Sequence, residues 1–470
     1  MKKIFHRKKI LLVTSVLLTI MMFLTACNNE GVSENVAPEE NLQEEVTEET
    51  DESIYISLEE AKSWYEDESY VFVDARLSDA YNGWALDGIG RGGHIPNAVD
   101  LPYNWLTVEV DDKEEQLEKA LETKGITMDK NIIVYDVQGK NALAVYDYLS
   151  AKGFENVAMF DLNLWIQEES LALEKLPNYE KVVPAAIVKA ILEGEKPETF
   201  ENSNSIKVVE ASWGPEDSSY ANGHVPGTVH INTDLVEPEP EWMLAEPELL
   251  EKFALDYGFT KDDTVIVTGA EQMAAYRVAV VLDYMGVADT RVLNGGLSAW
   301  QQAGYSVEME SHQPEPTDSF GGEIPMNPDV IMTIEELKVA LSSDENFTLV
   351  DNRTWDEFIG ESSGYSYHDK KGRIPGAVYG YAGIENAYSM EYFRNIDNTM
   401  RNPKEIKELW SEQGIDFDNH LAFMCGSGWR AAEILVYAQV MGLDNTSLYS
   451  DGWIGWSNDP NNPYETGVPK

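Results

Sequence analysis

Short apolar runs recur along the chain, at 71–73, 132–135, 265–267, 349–350 and 421–424 among others, and the stretches between them return apolar residues every three or four positions. Compact apolar runs alternating with such stretches predict strands buried on both faces, joined by helices as βα units around parallel sheets. Helical spacing predicts helices over 58–66, 116–124, 143–151, 248–257, 276–285, 334–341, 406–412 and 431–441.

The pattern is threefold. Strand-like segments recur as Val71-Phe72-Val73-Asp74-Ala75-Arg76, Lys207-Val208-Val209-Glu210-Ala211-Ser212 and Thr348-Leu349-Val350-Asp351-Asn352-Arg353. A turn follows each time: Gly93-His94-Ile95-Pro96, Gly223-His224-Val225-Pro226, then Gly372-Arg373-Ile374-Pro375. A third match is an apolar strand running into a loop and a helix, and it ends on Asp136, Gly269 and Cys425 in turn. A repeat of roughly 140 residues of this kind predicts tandem α/β domains, each a small doubly wound parallel sheet with its site beyond the carboxyl ends of the strands. The expected domains are 53–181, 182–322 and 323–470. In the third, the surplus between turn and loop falls in the Tyr- and Asn-rich stretch 379–400, a candidate cover for a site.

The first fifty residues read differently. Lys2, Lys3, Arg7, Lys8 and Lys9 precede an apolar run over 10–24, too short for a span of about 20 residues. Leu24-Thr25-Ala26-Cys27 resembles the bacterial lipobox, so 1–26 is expected to be a lipoprotein signal and Cys27 the lipid-attachment site. An uncleaved signal anchor is the alternative. Residues 28–52 hold ten acidic and no basic residues, so 27–52 is expected to be an acidic disordered tether holding the protein outside the cell membrane.

Composition narrows the partners. The chain carries 83 Asp plus Glu against 34 Lys plus Arg, a formal charge of −49, which repels phosphate backbones and excludes a general nucleic-acid binder. With only Cys27 and Cys425, neither a disulfide scaffold nor a cysteine zinc site is available. The seven histidines show no His-Glu-x-x-His spacing, and no Walker loop or dinucleotide fingerprint is present.

The chemistry concentrates in Cys425-Gly426-Ser427-Gly428-Trp429-Arg430, a strand-to-helix loop. Its glycines let successive amides turn inward as an anion nest, and the helix start behind them adds partial positive charge. Both favour a thiolate, or the outer sulfur of a persulfide, on Cys425. An inert buried cysteine is the plain alternative. Asp136 and Gly269 leave the first two units without a nucleophile, so they are expected to pack, dock and shape an entrance.

All three units resemble rhodanese-homology domains, through the Asp-x-Arg strand end, the Gly-His-Ile-Pro-type turn and the Cys-x-x-Gly-x-Arg loop. Leu293-Asn294-Gly295-Gly296-Leu297-Ser298-Ala299-Trp300 adds a further signature, with a weaker version over 449–456. The chain is similar to three-domain bacterial sulfurtransferases with one active cysteine in the last domain. The resemblance implies that Cys425 attacks the sulfane sulfur of a small anionic donor such as thiosulfate, forms a persulfide, and passes sulfur to cyanide or to a thiol, that of a protein included, without a cofactor. It implies that Gly426, Ser427, Gly428, Trp429 and Arg430 cradle the sulfur. Arg430 is expected to bind the donor's oxyanion end, or else to anchor the loop to a carboxylate. Asp351 and Arg353 match rim positions of the family, with a structural ion pair as the alternative. Arg373 stands where the other turns have His94 and His224, either adding positive potential or lying on the turn surface. Six residues from Cys425 to Arg430 match the sulfur-transfer loop length, whereas related phosphatases carry a longer loop. Mercaptopyruvate as donor, a rhodanese-type phosphatase and a non-catalytic envelope docking lipoprotein stay open as alternatives.

Overall fold

The computed structural model describes residues 54–469; the expected signal, the tether to residue 52 and Cys27 lie outside them. Three all-parallel sheets follow one another. The first contains β1 (Tyr70–Asp74), β2 (Val99–Asp100), β3 (Asn131–Asp136) and β4 (Val157–Asp161), in the order β2-β1-β3-β4. The second contains β5 (Val182–Val183), β6 (Ile206–Ser212), β7 (Val229–Asn232), β8 (Thr264–Thr268) and β9 (Asp289–Leu293), ordered β5-β9-β8-β6-β7. The third repeats this with β10 (Ile331–Met332), β11 (Phe347–Asp351), β12 (Val378–Tyr379), β13 (His420–Met424) and β14 (Thr446–Tyr449), ordered β10-β14-β13-β11-β12. In the first domain a single parallel bridge, Tyr55 to Met159, stands where the other two have their short leading strand.

All eight expected helices are present, several beginning three or four residues early: Lys113–Thr123, Lys140–Ala151, Gln272–Met285 and Pro403–Glu412. Three of these, Lys113–Thr123, Lys140–Ala151 and Pro403–Glu412, open on polar residues or proline, so their apolar periodicity starts after the true beginning. Ser57 with Glu60 and Thr333 with Glu336 form reciprocal capping boxes that start the equivalent helices Leu58–Trp64 and Ile334–Ser343.

The domains are not separate beads. Helix Gln272–Met285 of the second domain is buried over most of its length and packs on helix Trp429–Val440 of the third. Tyr276 and Tyr437 meet edge to face there, with centroids 5.4 Å apart. One continuous apolar cluster therefore runs from Val209, Val267 and Phe253 through these helices to Val350, Leu421 and Phe423. The first domain attaches through Trp84, whose indole N–H donates to the Val182 carbonyl at 2.9 Å and whose ring packs with Val183 and Phe200. Among the described residues no helix is long and apolar enough to cross a membrane.

Candidate active site

Strand β13 ends at Met424, paired in register with Asp351 of β11, so Cys425 emerges at the carboxyl edge of the sheet, where the connections leave to opposite sides. Gly428 caps the following helix with φ of +97°, in the left-handed region, and its amide N–H points at Cys425 Sγ from 3.2 Å. A side chain is excluded there, since a Cβ on Gly428 would lie 2.9 Å from the Ser450 carbonyl. Cys425 is the free cysteine of the described residues and is buried at the base of the loop.

The first domain displays what such a loop holds. Asp136, at the position of Cys425, folds its carboxylate back into its own loop and accepts from the amides of Gly139 (2.5 Å), Asn141 (2.8 Å) and Ala142 (3.2 Å). Gly139 corresponds to Gly428, and Asn141 and Ala142 to Arg430 and Ala431. The repeat thus binds a negative charge two bonds beyond Cβ, the position of a persulfide's outer sulfur. Burial pushes Asp136 up while these three amides pull it down, with a net upward shift.

The structure places the Arg430 guanidinium in a carboxylate pair, the arrangement of the anchoring alternative. Its Nη1 and Nη2 each reach Glu357 at 2.9 Å, Nη2 also donates to the Tyr365 hydroxyl at 2.9 Å, and both members of the pair are 1% exposed. Glu357 in turn accepts from the Thr354 amide and hydroxyl, closing a capping box on the short helix Trp355–Phe358. Burial pushes the Glu357 carboxyl up, but the Arg430 and Arg353 charges and these bonds more than offset it and hold it below the ordinary range.

Asp351 and Arg353 form the structural ion pair, away from the cavity at Cys425. Arg353 makes a two-pronged contact with Asp351 at 2.8 and 2.7 Å and reaches the Gly372 carbonyl at 2.9 Å. Arg76 does the same with Asp74 and Gly93 in the first domain, which has no thiol, so the device is a latch between strand end and turn. Arg373 belongs neither to the site nor to the open surface. It is buried against Glu465, at 2.9 Å, and the Gly467 carbonyl, at 2.6 Å, because the turn is clasped by the chain's final segment.

Above Cys425 opens a cavity of about 370 Å³. Cys425, Ser427, Trp429 and Arg430 form its floor, Tyr365, Tyr367, Ala387 and Tyr388 one wall, and Trp213, Glu237, Trp242 and Met273 of the second domain the other. The 379–400 stretch thus contributes Ala387 and Tyr388 to the wall. Further along it docks: Arg394 pairs with Glu433, and Asp397 accepts from Asn104 of the first domain at 2.8 Å. Trp429 reaches across the domain boundary to donate its indole N–H to Glu237, which also accepts from Arg277 Nε at 2.9 Å, while Arg277 Nη2 donates to Ser450 at 2.8 Å. Burial pushes Glu237 up to about 7 against the downward pull of Arg277. Tyr365 and Tyr367 are pushed up, mainly by burial, so both stay neutral hydroxyls.

Sequence reasoning missed Glu237, Arg277, Glu357 and Tyr365. Two had a readable signal. Thr354-x-x-Glu357 is a capping-box pattern, and Arg277 is the lone basic residue of an apolar helix, a position that requires an internal partner.

A thiol held at the base of an amide nest, in the last of three tandem parallel-sheet domains, defines a sulfur-carrying α/β protein. The model of the Rhodanese-like domain matches residues 57–162, 198–303 and 333–459, and the chain belongs to this family as a three-domain rhodanese-type sulfurtransferase. It is 36% identical over 400 residues to the thiosulfate sulfurtransferase YnjE of Escherichia coli K12, covering 84% of this chain and 88% of that protein. It is 28% identical to the 3-mercaptopyruvate sulfurtransferase of the same organism, over 54% of this chain and 89% of that one. Among solved structures, the anaerobic ergothioneine biosynthesis enzyme from Chlorobium limicola, in complex with trimethyl histidine, superposes with a TM-score of 0.82 at 35% identity, over 88% of this chain and 100% of that one. An EanB variant carrying a cysteine persulfide, with ergothioneine, matches at the same TM-score of 0.82 and 35% identity, over 88% and 100%.

Proposed function

We propose that the protein moves sulfane sulfur from thiosulfate, or a similar anionic donor, to a thiophilic acceptor through a persulfide on Cys425. The observation that carries this reading is the Asp136 carboxylate seated on three loop amides, in the repeat whose third copy replaces that aspartate with Cys425. The Cys425 thiolate attacks the outer sulfur of thiosulfate; an S–S bond forms, the S–S bond of the donor breaks, and sulfite leaves with the electron pair. The persulfide's outer sulfur lies on the amides of Arg430 and Ala431 at the helix start, which stabilise its charge without reorganising. A nucleophilic acceptor then takes that sulfur and regenerates the thiolate, dividing one transfer into two steps. The Arg430 guanidinium is neutralised by Glu357, so the donor is held by amides and the helix end rather than by a free cation.

The cavity favours a larger acceptor than cyanide. Trp213, Trp242, Tyr365, Tyr367 and Tyr388 around the buried Glu237 suit a flat or cationic organic molecule, since aromatic faces attract cations. The trimethyl histidine in the Chlorobium relative is a molecule of that class. We extend the proposal to the cell envelope, with Cys27 acylated, on the strength of the Lys-rich start, the apolar run and Leu24-Thr25-Ala26-Cys27; radiolabelled palmitate is expected to enter the parent and not Cys27→Ser.

The deciding experiment is intact mass analysis after incubation with thiosulfate. One sulfur atom is expected on the peptide holding Cys425, none in Cys425→Ser, and the adduct is expected to discharge on adding cyanide, a thiol or trimethyl histidine. No adduct with thiosulfate or mercaptopyruvate would overturn the proposal, leaving the docking-lipoprotein alternative.

A further inference from the structure

The second domain assembles three side chains that the sulfur chemistry does not use, His224, Glu308 and His312. His224, in the turn before β7, is fully buried, with its ring stacked on Tyr220 at 3.6 Å between centroids. Its Nδ1 lies 2.9 Å from the Tyr220 carbonyl oxygen, an acceptor, so the hydrogen-bond geometry assigns the proton to Nδ1 and leaves Nε2 with a bare lone pair. That Nε2 is buried with no hydrogen-bond partner among the described residues. It faces Glu308 Oε1 at 3.4 Å, and His312 Nε2 lies 2.6 Å from the same oxygen. The three ligand atoms fall within 4.8 Å of one another.

The backbone builds this arrangement. His224 and Glu308 pair as an antiparallel bridge, with N–H to O distances of 3.0 and 3.1 Å in the two directions, and four residues later the chain returns His312 to the same carboxylate. The repeats supply an internal comparison. The first domain keeps the bridge as His94 with Glu174 and the same tyrosine stack, on Tyr81, but the position four residues on is Asn178. In the third domain the bridge persists as an Arg373–Glu465 ion pair. The bridge is therefore a fold feature, whereas among the described residues two imidazoles converge on one carboxylate only in the second domain.

We propose that His224, Glu308 and His312 form a site for a zinc-class divalent cation that clasps the 223–227 turn to the segment following helix Gly296–Gln302. Two imidazole nitrogens and a carboxylate suit a borderline-soft ion such as Zn²⁺, with bonds of about 2.0–2.2 Å and water completing the shell. Donation of Nδ1–H to a backbone carbonyl is the outer contact that orients metal-bound histidines. His312 is partly exposed and free to open the short contact with Glu308 as the ion enters.

The test uses the full chain without a polyhistidine tag, freed of metal with a chelator, in a Cys425→Ser background so that the thiol does not compete. Zn²⁺ alone is titrated by calorimetry, with thermal unfolding in parallel. One equivalent is expected to bind and to raise the melting temperature. Adding His312→Ala removes one of the three ligands and is expected to abolish the thermal shift and to weaken binding by at least the ~10-fold that loss of an outer partner alone costs a metal site. Equal Zn²⁺ binding with and without His312, or none in either, would overturn the proposal.

Discussion

The Arg430–Glu357 pair gives the sharpest test of how the active loop is held. Glu357→Leu strands a guanidinium that is 1% exposed, with its remaining side-chain contact to the Tyr365 hydroxyl. Breaking a buried pair from one side costs about 3–5 kcal/mol, because a charge stays behind without its partner. At roughly 2–4 °C per kcal/mol for a unit of 150–250 residues, the melting temperature should fall by about 6–20 °C. Arg430→Met should cost a similar amount by stranding Glu357. The double variant Arg430→Met/Glu357→Leu removes both charges and should recover most of the loss, less about 1 kcal/mol for the capping box on Thr354. Calorimetric unfolding of the four proteins yields the coupling energy, and thiosulfate-to-cyanide transfer is followed alongside. An anchor predicts that the Michaelis constant for thiosulfate returns towards the parent value in the double variant. If Arg430→Met left stability unchanged and raised that constant in both single and double variants, the arginine would be binding donor and the anchoring argument would fail.

Three further outcomes follow from the geometry. Gly428→Ala should cost more than the ~1–2 kcal/mol of its left-handed backbone, because the added Cβ also meets the Ser450 carbonyl at 2.9 Å, and, by moving the amide off Sγ, lower the rate of persulfide formation more than ~10-fold; unchanged stopped-flow kinetics would refute the cradle. Asp136→Ala leaves three loop amides without their acceptor and should destabilise the protein by about 1–3 kcal/mol with sulfur transfer intact; denaturant unfolding beside an activity assay checks both halves. Asp79 is buried between Asn294 and Asp397, and burial pushes its carboxyl up to about 7. The folded state therefore keeps a proton that the unfolded chain releases near pH ~4, so stability declines as pH rises from there to about 7, by ~1.4 kcal/mol for each unit of separation. Asp79→Asn should flatten the stability profile between about pH 4 and 7, and a profile superimposable on the parent's would count against this account.

Much of the fold was legible because its signals are local. The strand runs, the repeated turns and the loop at Cys425 are contiguous in sequence, and periodicity located all eight expected helices. Helices such as Ser78–Asn82 and Trp355–Phe358 span too few residues to show a period. Within the site, Cys425 and its glycines were legible for the same local reason. Arg430 was expected at the donor because its partner, Glu357, lies 73 residues upstream and nothing local announces the pairing. Glu237 and Arg277 come from a domain without a nucleophile, and only the docking of helix Gln272–Met285 on helix Trp429–Val440 brings them to Trp429. Arg373 and the rim pair Asp351–Arg353 look like site residues by position, yet burial commits each to a neighbour.

The apolar cluster shared by the second and third domains has a consequence for how such a chain diversifies. A tandem array invites the view that each repeat is a cassette, to be shuffled, duplicated or excised at its linker. Here the genetic unit and the cooperative unit have different borders: cutting between 322 and 323 would expose the seam around Tyr276 and Tyr437 and take away Trp213, Glu237 and Trp242 from the cavity. The repeat that carries no nucleophile supplies one wall of the cavity at Cys425, so changes in its helix Gln272–Met285 are constrained by a site centred in another repeat.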